Sequence, residues 1–391
     1  MSNSFKTFLK HTAKDFHNQS VNPPVVRAST IIFKSMKDIR KTQAKAIKNP
    51  TGGHYDYGRQ GTSTTYILQK ILTKLEESYH VFTTPTGFGA VFLAIFSVTR
   101  PGDEIIVADP VYSPTRILTE NFLKEFNIKT TFYDPHDLKT LEKSITKNTK
   151  LIFVENPGSN SFDFQDLGKI VSIAKKHKIL TVMDNTWGTP YFLKPIKLGF
   201  DMAIVSATKY YSGHSDVMGG SLAVNKKVFP KVKAAERITG LRLGPDDAYL
   251  ITRGLRTLDV RLDRHRENAK KVAEFLSKNK KFKLLYPYKK DSYNFRMWKK
   301  YYSGASGLMG VQIKSKNVNS IRKFVNSLKL FGYGYSWGGF ESLALHQEFR
   351  ETGKRKYLKL KKDEHLVRFH IGLEDPRDLI ADIKQALKHL K

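Results

Sequence analysis

The chain has 391 residues, a 40% apolar fraction and a formal charge of +31, enough apolar sequence for a large core and for two domains. No segment reaches the ~18 uncharged apolar residues of a membrane span, and the polar start from Met1 to Lys10 lacks a signal-type apolar run. Cysteine is absent, which excludes disulfides, thiolate zinc sites and iron–sulfur clusters. A cytoplasmic protein with no membrane partner and no metal site is expected.

The positive charge raises the question of a polyanion partner. Lysines are spread over 34–48, 169–178, 270–283 and 354–362, without zinc-finger spacing or a helix-turn-helix pattern to organise them. A solvated surface explains them, and no specific nucleic-acid partner is expected. Such a field also draws in small anions.

Residues 1–60 contain few apolar periods, and Asn22-Pro23-Pro24 and Asn49-Pro50-Thr51-Gly52-Gly53 break them into an extended arm. From Thr64, the spacing of Tyr66, Ile67, Leu68, Ile71, Leu72 and Leu75 predicts a helix. Phe82-Thr83-Thr84 leads through Pro85-Thr86 to a second apolar helix from Gly87 toward Phe96. Next come a strand at 104–108, a helix at 118–126, a strand at 129–133 and a helix at 137–145. A buried strand at 151–154 and a helix at 166–177 follow. The apolar run 179–183 then ends in Asp184. A second run, 202–205, ends in Ser206-Ala207-Thr208-Lys209-Tyr210. Strands alternating with helices predict α/β layers around a mostly parallel, doubly wound sheet. Right-handed crossovers then align the strand ends at Glu155, Asp184 and Ser206 on one edge, where ligands of open α/β sheets bind.

Beyond Pro245 the pattern changes. Helices are expected at 246–259, 262–278, 320–328 and 375–390, with strands at 308–313 and 367–371, forming a smaller α+β domain. The domain reading is an arm over 1–60, an α/β domain over 61–250 and a C-terminal domain over 251–391.

An acid and an amine at neighbouring strand ends suit an enzyme that binds pyridoxal phosphate covalently through Lys209, with Asp184 paired to the pyridine nitrogen. The lysine should lose proton affinity if it lies among cations or is poorly hydrated. Gly87 and Phe88 open a helix whose free backbone donors suit a phosphate. Ser206 and Thr208 can add hydroxyls, Tyr112 can stack on the ring, and Arg59, near Tyr57, is well shaped for phosphate.

The chain resembles the Cys/Met-metabolism family of pyridoxal-phosphate enzymes over nearly its whole length. The marks are Tyr57-Gly58-Arg59, Asp184-Asn185-Thr186-Trp187, Ser206-Ala207-Thr208-Lys209-Tyr210 and Gly213-His214-Ser215-Asp216. Arg253-Gly254-Leu255-Arg256-Thr257-Leu258 and Arg368-Phe369-His370-Ile371-Gly372-Leu373-Glu374-Asp375 add to them. The resemblance implies the aspartate-aminotransferase-like fold, fold type I, with a seven-stranded sheet. It implies that Lys209 holds the cofactor, Asp184 pairs with its ring nitrogen and Tyr112 stacks on it. Gly87, Phe88, Ser206 and Thr208 line the phosphate, which Tyr57 and Arg59 reach from a neighbouring subunit. A homodimer is then the minimum active unit, and pairs of dimers form tetramers.

Arg368 matches the clamp on the substrate carboxylate, with Asn156 and Ser336 nearby. Trp337, within Ser336-Trp337-Gly338-Gly339, and Asn156-Pro157-Gly158-Ser159 resemble the beta-lyase branch. That branch performs α,β-elimination of L-cystathionine to homocysteine, pyruvate and ammonia, in methionine biosynthesis. Lys209 serves as base, and Tyr57 and Tyr112 are further candidates for proton transfer. Gamma-acting chemistry and a racemase side activity toward alanine are the alternatives. Phe88 departs from the pattern, being bulkier than the residue usual at that turn.

Overall fold

A computed structural model describes residues 4–12, 19–287, 290, 292–347, 355–357 and 360–390. The polar start at Met1 and the lysine tract at 354–362 fall partly outside them.

The main sheet has seven strands: β1 (His80–Thr84), β2 (Glu104–Ala108), β3 (Lys129–Tyr133), β4 (Thr149–Glu155), β5 (Leu180–Asp184), β6 (Met202–Val205) and β7 (Gly220–Val224), in the order β1-β7-β6-β5-β4-β2-β3. Only β7 runs against the others, pairing antiparallel with both β6 and β1. The remaining pairs are parallel.

Alternation along each strand feeds two cores. Ile106, Ile152, Val154, Met183, Ala203 and Val205 face one side, with Leu68, Leu72 and Leu75 of the helix Ser63–Leu75 and Ile170 and Ala174 of Leu167–Lys176. Ile105, Val107, Phe153, Val182, Met202 and Ile204 face the other, against Val91 and Leu93 of Gly87–Val98 and Val232 of Phe229–Thr239. Leu68, Leu72 and Leu75 are at most 1% exposed, each contributing about 1.5–3 kcal/mol of burial. The sheet is therefore doubly wound, as its near-continuous apolar strands predict.

A second, antiparallel sheet joins β8 (Phe282–Leu285), β9 (Leu308–Lys314), β10 (Leu343–Gln347) and β11 (Glu364–His370) in the order β10-β11-β9-β8. Its core is built from Val311, Ile313, Val367 and Phe369 with Phe324 and Leu379 from two covering helices. The helix Leu258–Leu276 serves both units: Leu258 and Leu262 enter the large-sheet core, while Val272 and Leu276 enter the small-sheet core.

The extended-arm reading of 1–60 needs correction. Phe5–Lys10 and Met36–Lys48 are helices, the latter started by Ser35 accepting from the Asp38 N–H. No residue of Met36–Lys48 is buried, and its few apolar residues are scattered among lysines. The strands β7, β8 and β10 and the helices Phe229–Thr239 and Tyr293–Tyr301 add to the elements expected from the sequence. Helical residues 113–125, which include a π-turn at Leu118–Phe122, begin five residues earlier than expected.

Candidate active site

The ends of β4, β5 and β6 lie side by side. Glu155 is the register partner of Asp184, and Asp184 of Ile204, two residues before Ser206. Asp184 Oδ1 accepts from the Thr186 N–H at 2.9 Å and the Thr186 hydroxyl at 2.6 Å, and Thr186 Oγ1 accepts from the Ser206 N–H at 2.9 Å. Those bonds fix one carboxylate oxygen and leave Oδ2 for a ligand. Burial raises the Asp184 pKa, opposed by the Thr186 bonds and the Lys209 charge.

Lys209 follows β6 in a tight turn, its N–H on the Ser206 carbonyl. Its Nζ donates to Ser336 Oγ at 2.6 Å, while the Ser336 carbonyl accepts from Arg368 Nη2 at 3.1 Å. One serine thus links the amine to the guanidinium on β11. Ser336 has φ +77°, a left-handed conformation costing about 1 kcal/mol for a non-glycine residue. Burial, then the Arg368 charge, lowers the Lys209 pKa to about 8, while Asp184 works the other way. Trp337 presents its ring 5.6 Å from Nζ.

On the other side of Ser206, the helix Gly87–Val98 begins. Thr86 caps it by accepting from the Gly89 N–H at 2.9 Å, so the Gly87 and Phe88 N–H groups have no acceptor within their helix. A Cβ at Gly87 would lie 2.5 Å from Ser206 Oγ, so only glycine lets the helix start approach that hydroxyl. The Phe88 side chain is 39% exposed. Its bulk points outward and leaves the turn to its backbone, which disposes of the departure noted above. Thr208 differs from the simple expectation: its hydroxyl accepts from the Gly219 N–H at 3.0 Å and donates to the Gly219 carbonyl at 3.2 Å.

Tyr112 precedes the helix Ser113–Ile117, half exposed. Burial raises its pKa, followed by the charges of Glu155 and Asp184, with Arg368 opposing; those neighbours place the phenol inside the same site. Its N–H donates to Glu155 Oε2 at 2.6 Å. Glu155, at the end of β4, thus anchors the Tyr112 backbone. Burial, then Asp184, holds its pKa well above the carboxylate range. Arg355, a C-terminal residue with no sequence signal, donates to the carbonyls of Ser159 at 2.8 Å and Val111 at 3.2 Å, bracing the Tyr112 loop from behind.

Two expected groups lie apart. Tyr57 and Arg59 are exposed, with Arg59 donating to the Arg237 carbonyl at 3.0 Å. Arg59 lines a cavity of about 850 Å³ with Lys233, Arg237 and Arg242, and neither Tyr57 nor Lys209, Asp184 or Arg368 lines it. Within one chain Tyr57 and Arg59 do not meet the amine. Asn156 is a correction. It is 1% exposed, gives its amide N–H to the Tyr302 hydroxyl at 2.9 Å and accepts from the Gln165 N–H at 2.8 Å. It lies one residue beyond β4, and those two bonds hold its side chain in the core rather than toward substrate.

The residues present fit pyridoxal phosphate: an amine of lowered basicity, a carboxylate oxygen without a partner bond, and a glycine-started helix facing a serine hydroxyl. A family model described as "Cys/Met metabolism PLP-dependent enzyme" matches residues 6–388. The chain belongs to this family. It is a pyridoxal-phosphate enzyme of fold type I, acting in trans-sulfuration-type chemistry. Cystathionine beta-lyase of Bordetella avium is 36% identical over 370 residues, 94% of this chain and 92% of that one. L-alanine/L-glutamate racemase of Wolbachia pipientis is 36% identical over 379 residues, 95% and 93% of the two chains. The structure of cystathionine gamma synthase from Xanthomonas oryzae pv. oryzae superposes with a TM-score of 0.88 at 28% identity, covering 100% of this chain and 99% of that one. No helix among the described residues is long and apolar enough to cross a membrane.

Proposed function

We propose that the chain is a carbon–sulfur lyase that cleaves the Cβ–S bond of L-cystathionine to give homocysteine, pyruvate and ammonia, with racemisation of alanine as a second outcome of the same proton abstraction. The supporting observation is the link Lys209–Ser336–Arg368. It ties the base to the carboxylate clamp, so a substrate seated on Arg368 brings its α-carbon to Nζ.

The bound cofactor supplies an electron sink for the pair released when the α-proton leaves. Arg368 holds the α-carboxylate through its planar fork. Lys209, neutral in appreciable fraction near pH 7, takes the α-proton as general base. Asp184 would keep a proton on the pyridine nitrogen through Oδ2, with Thr186 orienting the carboxylate. Tyr112 would cover the ring, while Ser206 and the Gly87 and Phe88 N–H groups would hold the phosphate. Trp337 bounds the space beside Nζ and favours an outcome at the β-carbon. Lys209 or Tyr112 then protonates the departing sulfur. Tyr57 and Arg59 serve the phosphate of a neighbouring subunit, so the dimer is the active unit and its pairing gives a tetramer.

The racemase reading is supported by the 36% identical L-alanine/L-glutamate racemase: without a leaving group at the β-carbon, a proton returns to the α-carbon, and delivery to the opposite face gives the D-amino acid. Product analysis on cystathionine, methionine, O-succinylhomoserine and L-alanine tests both. Homocysteine with pyruvate supports β-cleavage, and cysteine with 2-oxobutyrate refutes it. D-alanine from L-alanine establishes the second activity.

A further inference from the structure

Behind the Lys209–Ser336–Arg368 link lies a buried pair of histidines that the reaction does not use. Strand alternation puts Arg368 and His370 on one face of β11 while Phe369 enters the core. His370 is 1% exposed, and its Nε2 lies 3.1 Å from both the Gly338 N–H nitrogen and the Gly339 carbonyl. Gly338 has φ +92°, and a Cβ there would lie 2.9 Å from the Lys209 carbonyl carbon. The turn therefore rests directly on the backbone of the catalytic lysine. His265, fully buried, has its ring centroid 5.1 Å from that of His370.

Proton bookkeeping gives one arrangement. His265 Nδ1 faces the Ile371 carbonyl at 2.8 Å, an acceptor only, so its proton sits on Nδ1 and its Nε2 is bare. His370 Nε2 cannot both accept from Gly338 and donate to Gly339. Leaving the Gly338 N–H buried without an acceptor costs about 1–3 kcal/mol, and an under-satisfied carbonyl is better tolerated. The Gly338 N–H pointing at Nε2 then leaves the His370 proton to Nδ1. Neither His370 Nδ1 nor His265 Nε2 has a hydrogen-bond partner among the described residues. Burial lowers the His370 pKa to about 4, keeping the ring neutral.

We propose that His370 is a positioning residue whose Nε2 accepts the Gly338 N–H and so fixes the turn that seats Ser336 and Trp337 against Lys209. This deepens the lyase reading and rests on it for the choice of substrate, whereas the tautomer does not depend on which product forms.

Histidine ¹⁵N NMR of the full-length protein near neutral pH should show His370 as the neutral Nδ1–H form; an Nε2–H form overturns the proposal. In the holoenzyme, His370→Gln retains an acceptor near the Nε2 position and His370→Leu does not. The leucine variant should raise the KM for cystathionine about tenfold, the loss of one buried hydrogen bond, with cofactor absorbance retained. The glutamine variant should stay within about threefold of the parent. Equal impairment of both, or an unchanged KM in the leucine variant, overturns it.

Discussion

Lys209 loses basicity because burial and the Arg368 guanidinium both oppose its charge, with Asp184 offsetting only part. Covalent capture of pyridoxal phosphate needs the neutral amine. With a pKa of about 8, the rate of capture by cofactor-free protein should rise roughly tenfold per pH unit below that value and level off above it. Stopped-flow absorbance across pH 6–10 measures this; a rise continuing to pH 10 would mean an ordinary solvated lysine. Arg368 acts through the planar fork that lysine lacks. Arg368→Lys should therefore raise KM for amino-acid substrates by roughly 10²-fold or more, with cofactor binding retained, as read from steady-state kinetics and cofactor titration.

At the scale of elements, the site is an edge where three strand ends meet one helix start. The helix contributes through proximity: Gly87 lets it lie against Ser206. Gly87→Ala places a methyl in that contact and should weaken pyridoxal phosphate binding about tenfold or more, measured by equilibrium titration, with a near-native melting temperature. Unchanged affinity would remove the phosphate role from this turn. The elements that sequence reading recovered are those whose pattern is local. The Glu104–Ala108, Lys129–Tyr133 and Met202–Val205 strands are short apolar or β-branched runs, and the Ser63–Leu75 helix has a clear apolar stripe. The missed strands β8 and β10, Phe282–Leu285 and Leu343–Gln347, are only partly buried along most of their length. They are strands because β9 and β11 supply their partners, and no local period records that.

For the whole molecule, buried acids and buried histidines pull stability in opposite directions with pH. Glu76 accepts from the Tyr211 hydroxyl at 2.9 Å, and burial raises its pKa to about 7. Its folded pKa exceeds the unfolded value of 4.5, so its contribution is lost as pH climbs from that value through about 7. His80, lowered by burial to about 4 from 6.5, instead costs stability as pH falls through that interval. Comparing Glu76→Gln with the parent isolates the acid. The variant should gain on the parent between pH 5 and 8 by up to roughly 3 kcal/mol, read from melting temperatures; a constant difference would show that Glu76 does not titrate there. If Arg59 serves a neighbouring subunit, mixing inactive Arg59→Ala and Lys209→Ala chains through unfolding and refolding should restore up to about a quarter of parental activity. No recovery would place Arg59 elsewhere.

The chain by itself determined the α/β layering, the acid and amine at neighbouring strand ends, and the glycine turn, because apolar periodicity and strand-end chemistry are written in contiguous residues. Tertiary structure alone decided which distant groups stand behind them. Glu155 beneath Tyr112, Arg355 against the same loop, Ser336 between Lys209 and Arg368, and His370 under Gly338 are separated by 32 to 244 residues from the groups they touch. The commitment of the Asn156 amide to Tyr302 is of the same kind. Strand order and crossover packing bring these groups together, and neither leaves a period or a spacing in the sequence.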